Sequence, residues 1–197
     1  MGSMTARTHD LAAFTGLTLV LVYWTVPVMT LATAMAVFGA NFLGALFPDL
    51  DNSTAQIWEQ VRGGRIIGKI IPPLIGGHRY ITHSMVGLAL AGWLLRLGLD
   101  FLGKIILVDM ALVWWGFMLG MISHLIADSL TREGVMWLFP FPWRIGFPPF
   151  KDLRIKTGGL IEKAVVFPGL ILVNVYLIAS NYHALWALVQ TWVAKPY

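Results

Sequence analysis

The sequence predicts an all-α fold: a polytopic membrane helix bundle of about four to five transmembrane helices, with a metal site at its cytoplasmic face. Three observations lead there. The 197 residues are 57% hydrophobic and 12% charged, with a mean hydropathy of +0.73, whereas a soluble domain carries about 25% charged residues. The apolar residues are gathered into long runs separated by polar loops rich in Gly, Pro and Arg. Nearly every side chain able to bind a metal lies at an end of one of those runs.

The elements follow in order. Residues 11–47 are almost uninterrupted apolar sequence. As one helix they would extend about 55 Å, well past the ~30 Å hydrocarbon core. Pro27 is the natural break, so a helical hairpin is expected, with arms at 11–24 and 28–47. Further apolar runs cover 84–99, 105–127 and 164 to about 193, the last kinked or divided near Ser180, Asn181 and Tyr182. Polar loops fill 51–82 and 128–163. No internal repeat is evident, and residues 4–197 read as one integral membrane domain. Met1, Gly2 and Ser3 read as an appended remnant, with Met4 the expected natural start. The chain has no cysteine, which excludes disulfides and thiolate-bound zinc.

Five crossings put the N terminus and the loops 51–82 and 128–163 on one side. Eleven of the 14 Lys and Arg then share that side, leaving Arg96, Lys104 and Lys195 on the other. Basic residues favour the cytoplasmic side, so that side is expected to face the cytoplasm. This pattern accounts for the net charge of +4 without a nucleic-acid partner.

The same side collects His9, Asp49, Asp51, His78, His83, His124 and Asp128. Carboxylates and imidazoles at a membrane boundary are costly unless paired or metallated. Asp49 and Asp51, two apart after Pro48, can bridge two cations or divide between direct coordination and support of a neighbouring ligand. Taken alone, they read more simply as a turn with a helix cap. His124 and Asp128, four apart, stack on one helix face as two ligands of one ion do; a buried His–Asp pair without metal is an equal reading. His78 and His83 flank a helix start that Thr82 or Ser84 can cap, and Arg79 offers a planar fork for phosphate. His9 alone is unremarkable. Together they form a mixed imidazole–carboxylate set suited to zinc, manganese or iron, in number enough for two ions.

Glu162, ahead of the last apolar run, is a candidate ligand or proton-transfer base, although a Glu in a first helical turn is also an ordinary dipole-favoured placement. Asp109 is expected to pair with Arg96 or Lys104, and His183 to be an interfacial or packing residue. The Trp-, Phe- and Pro-rich stretch 137–150 reads as an interfacial belt, acting as an anchor or as a lid over a lipid.

In order, Thr8-His9, Pro48 to Asp51, His78 to Ser84, Ser123 to Asp128 and Thr157 to Glu162 resemble a family of membrane-bound metal-dependent hydrolases, described as LexA-binding, inner-membrane-associated hydrolases. The His78 to Ser84 stretch is the most specific part. The resemblance implies a multi-helix inner-membrane protein with metal-dependent hydrolase activity. The expected reaction is hydrolysis of a phosphoester, on a membrane lipid or lipid-like phosphorylated substrate, by metal-activated water. In it Arg79 and Glu162 would act as phosphate clamp and base, with the seven His and Asp residues as ligands. A divalent-cation transporter or channel using the same residues is the alternative, and a metal-stabilised structural subunit a third.

Overall fold

A computed structural model of the chain describes residues 6–51 and 80–194. Expectations for His78 and Arg79 lie outside the described residues. Among the described residues there are six α-helices and no strand: α1 (Ala6–Tyr23), α2 (Leu31–Leu46), α3 (Met85–Leu102), α4 (Met110–Ser129), α5 (Phe167–Ser180) and α6 (Tyr182–Ala194). The all-α membrane bundle read from the sequence is the architecture found. Among the described residues, four segments are long and apolar enough to cross a membrane: Leu31–Asp51, Met85–Leu102, Met110–Ser129 and Glu162–Ser180.

One boundary differs from the sequence reading, and two breaks fall where it placed them. Helix α1 starts at Ala6, so His9 belongs to its opening turns instead of preceding them. α1 has the length of a span but is too polar to count with the four, and its polar residues Thr8, His9, Thr15 and Thr18 are buried against neighbouring helices. The final apolar run is divided as expected, into two helices at Asn181, whose side-chain amide donates to the Leu177 carbonyl. The break at Pro27 is as expected: residues 24–30 are non-helical, and Thr30 caps α2 by accepting from the Thr33 N–H.

Helix α4 is the centre of the bundle, packed against α1, α2 and α3, while α5 lies on the outer side of α1. In lipid, apolar burial between helices gains little, so close backbone approach and interhelical hydrogen bonds hold such bundles together. The α2–α4 contact shows both. A Cβ on Gly44 would collide with the Phe117 carbonyl, and one on Gly120 with the Asn41 carbonyl. The Asn41 amide donates to the Gly116 carbonyl at 3.2 Å. Trp114 Nε1 similarly ties α4 to the Gly92 carbonyl of α3, and Asn174 ties α5 to Thr15 of α1, each at 2.7 Å.

Outside the main cluster, Asp109 changes role. Asp109 caps α4, accepting from the Ala111 and Leu112 N–H groups, and Arg96 pairs with Asp100 one turn away. The expected pairing of Asp109 with Arg96 or Lys104 is therefore replaced by a local one, because the helix start offers unpaired N–H donors nearby. His183 is exposed and rests against Tyr182.

Candidate metal centre

The first turns of α1 and α3 meet the last turns of α2 and α4 at one end of the bundle, and the His and Asp residues meet there. Asp49 and Asp51 stand on a 3-10 turn, Pro48–Asp51, that follows α2. His83 sits just ahead of α3. Ser84 fixes that junction twice, donating to the Ile81 carbonyl and accepting from the Gly87 N–H. Gly87 is needed there because any Cβ would strike the Ile81 carbonyl. Ser84 is thus the cap, while Thr82 turns inward and donates to Asp51. His124 and Asp128 occupy one face of α4, four residues apart.

His9, His83, His124 and Asp128 are essentially inaccessible to solvent. The His9 and His124 rings stack at 3.8 Å between centroids. Distances then separate hydrogen bonds from another kind of contact. His83 Nδ1 lies 3.2 Å from Asp51 Oδ2, within hydrogen-bond reach. Four other separations are longer: His83 Nε2 to Asp128 Oδ2 is 3.4 Å, His9 Nε2 to Asp128 Oδ1 3.5 Å, His124 Nε2 to Asp128 Oδ2 3.7 Å and His124 Nε2 to Asp49 Oδ1 3.8 Å. Zinc bonds to N or O of about 2.0–2.2 Å put two ligands of one tetrahedral ion about 3.3–3.6 Å apart. The His83–Asp128 and His9–Asp128 contacts fall within that range, and the two from His124, at 3.7 and 3.8 Å, lie just beyond it.

The His124 tautomer points the same way. His124 Nδ1 lies 2.6 Å from the Ala45 carbonyl oxygen, which can only accept, so Nδ1 carries the hydrogen. In the neutral ring Nε2 then presents a lone pair to the carboxylates of Asp49 and Asp128. That arrangement is repulsive unless a cation lies between them. His124 Nε2 and both His9 ring nitrogens are buried with no hydrogen-bond partner among the described residues.

Two groups meet the spacing of a metal site, His9–His124–Asp128 and Asp49–His83–His124, with donor atoms within 4.8 Å of one another. Both use His124, whose single Nε2 lone pair serves one ion only. Asp128 is different, since Oδ1 faces His9 and Oδ2 faces His83 and His124. Asp51 stands behind His83, so the two carboxylates divide the work: Asp49 faces the centre and Asp51 orients a ligand. Buffering a ligand imidazole with a carboxylate is how metal sites fix ring orientation and tautomer. Burial alone would push the His83 pKa down, but the neighbouring Asp128 and Asp51 carboxylates outweigh it and raise it from 6.5 to about 9.

Glu162 is fully buried but falls outside both groups. It accepts from the Thr8 hydroxyl at 2.9 Å and from the Gly158 N–H at 2.7 Å. It therefore anchors the turn that presents His9. The sequence reading missed Thr8, Thr82 and the Ala45 carbonyl as supporting groups. The two threonines adjoin His9 and His83 in sequence, whereas a backbone carbonyl leaves no trace in composition.

The fold and this cluster define a class: a polytopic membrane helix bundle whose helix ends gather histidines and aspartates able to hold a metal ion. A family model described as YdjM inner membrane protein matches residues 4–193, and the chain belongs to that family of inner membrane proteins. It is 30% identical over 180 residues to YvsG of Bacillus subtilis, covering 91% of this chain and 98% of that one. It is 29% identical over 141 residues to the inner membrane protein YdjM of Escherichia coli, covering 71% of this chain and 65% of that protein. The YdjM of Shigella flexneri matches to the same extent. No solved structure matches.

Proposed function

We propose that this protein is a metal-dependent hydrolase of the inner membrane, cleaving a phosphoester of a membrane lipid at the cytoplasmic side. The supporting observation is His124: its Nδ1 is committed to the Ala45 carbonyl, and its buried Nε2 lone pair faces two carboxylates at 3.7 and 3.8 Å with no hydrogen between them. His9, Asp49, His83, His124 and Asp128 would hold the metal, with Asp128 placed to serve two ions and His78 a further donor. Zinc suits this nitrogen-rich donor set best, with manganese or iron as substitutes. A bound divalent ion supplies a nucleophilic water at neutral pH and offsets charge on phosphoryl oxygens.

The protein's own residues do the rest. Asp51 and Thr82 hold the His83 ring, the Ala45 carbonyl holds the His124 ring, and Glu162 with Thr8 holds the turn bearing His9. Arg79 is proposed to clamp the phosphate with its planar fork. A proton-transfer role for Glu162 has less behind it, because both its oxygens already accept hydrogen bonds. Cation transport is the weaker reading: a path needs polar groups across the depth, and the first half of α4 buries Val113, Gly116, Phe117 and Met118.

The test is turnover by the purified protein, in lipid nanodiscs, of phospholipids and of a generic phosphodiester with zinc or manganese added. Metal-dependent release of a phosphorylated product, absent in His124→Ala and Asp128→Ala, is expected. A metal-loaded protein that hydrolyses none of them would overturn the assignment.

A further inference from the structure

The chain between α4 and α5 is an ordered platform with an apolar surface that nothing in the described protein covers. Its framework is backbone pairing: Val135 and Ile145 exchange hydrogen bonds at 2.9 Å, and Arg132 and Ile155 are linked at 3.0 Å. The Arg154 guanidinium donates to the Pro148 and Pro149 carbonyls. Bonds from Met85 N–H to the Trp137 carbonyl and from Trp137 Nε1 to Ser129 Oγ fasten the platform to α3 and α4 at the end carrying the His/Asp cluster. With the inner residues so fixed, Phe141, Trp143, Phe147, Phe150 and Leu153 are left 57–71% exposed. Phe141 and Trp143 stack on each other at 5.6 Å.

Exposed clusters of large apolar side chains mark an interaction surface. Here the charges beside it select the occupant. Arg144, Lys151, Lys156 and Lys163 are exposed, and none forms an ion pair among the described residues. The platform leaves α4 at Ser129 and rejoins a membrane-crossing segment at Glu162, so both of its attachments lie at the membrane boundary. Aromatic rings favour the head-group layer, and each Lys or Arg near an anionic surface adds to the attraction.

We infer that the residue 137–163 platform is an anionic-lipid-binding surface, with Phe141, Trp143, Phe147, Phe150 and Leu153 inserted in the bilayer interface and Arg144, Lys151, Lys156 and Lys163 on acidic head groups. This inference stands apart from metal chemistry and does not depend on hydrolysis.

Because the chain has no cysteine, single spin labels can be placed at Phe141→Cys and Phe150→Cys in nanodiscs of phosphatidylcholine with or without phosphatidylglycerol. Collisions with oxygen should exceed those with a water-soluble nickel chelate several-fold at both positions. Phosphatidylglycerol should shift both labels deeper, and the R144Q/K151Q/K156Q/K163Q background should abolish that shift while retaining oxygen preference. Labels freely reached by the nickel chelate would overturn the inference. So would labels shielded from both reagents, which would mean a protein covers the patch, or depths indifferent to phosphatidylglycerol.

Discussion

His83 shows how single side chains carry the account. Its pKa of about 9 lies above the ordinary 6.5, so without metal its charged form stabilises the fold fully below about pH 6.5. That contribution is lost as pH rises through about 9. The melting temperature of chelator-treated protein should therefore fall between pH 6.5 and 9.5. Metal binding needs deprotonated imidazole, so the rise in melting temperature on adding zinc should grow across the same window. Parallel slopes in the two titrations would contradict the ligand role. Behind His83, Thr82 donates to Asp51. Supporting partners of this kind are worth about 10–100-fold in metal affinity, and Thr82→Val should weaken zinc binding by that factor in a competition titration. Glu162→Ala leaves the Thr8 hydroxyl and the Gly158 N–H without their acceptor. A stability loss of about 1–3 kcal/mol is expected in thermal unfolding; an unchanged melting temperature would remove its anchoring role.

Among the elements, α2 and α4 matter most, because Asp49 follows one and His124 and Asp128 lie on the other. Their approach depends on glycines at the contact. Alanine is favoured over glycine in a helix by about 1 kcal/mol, yet Gly120→Ala would drive a methyl into the Asn41 carbonyl, while Gly39→Ala meets nothing within 4 Å. Overpacking of this kind costs about 1–3 kcal/mol. Gly120→Ala should lower both the melting temperature and the bound metal, whereas Gly39→Ala should leave the metal unchanged and raise the melting temperature slightly; equal behaviour of the two would refute close packing at Gly120. The helices themselves were legible from the sequence as apolar runs, and Pro27 and Asn181 marked real breaks. The early start of α1 at Ala6 was hidden because Arg7, Thr8, His9 and Asp10 look like a solvated leader until the neighbours that bury Thr8 and His9 are present. Spacing on one helix sufficed to pair His124 with Asp128. No local pattern could tell that Asp49 faces His124 while Asp51 faces His83, since that depends on the register between separate elements.

For the whole molecule, convergence of alternate helix ends is what turns scattered polar residues into one centre. The sequence exposed the convergence through two tallies, of basic residues and of metal-binding residues, and the fold brings five of the seven His and Asp candidates into the two metal-sized groups. Asp51 supports from behind, and His78 lies outside the described residues. Sidedness is a separate prediction. A single cysteine replacing Lys163, exposed beside the cluster end, should react with a membrane-impermeant maleimide in inverted inner-membrane vesicles but not in intact cells. The opposite pattern would place the centre outside. Stability should also couple to metal, with about 2.7 kcal/mol lost on chelation from a free-metal level 100-fold above the dissociation constant.

The most direct measurement is elemental analysis of the purified, metal-exposed and dialysed protein beside His124→Ala and Asp128→Ala variants that retain their helical circular dichroism. One or two divalent ions per chain in the parent, and a large loss in both variants, is the predicted result. A parent that retains no divalent ion, or variants that keep the full complement, would contradict the proposal that these helix ends form a metal centre.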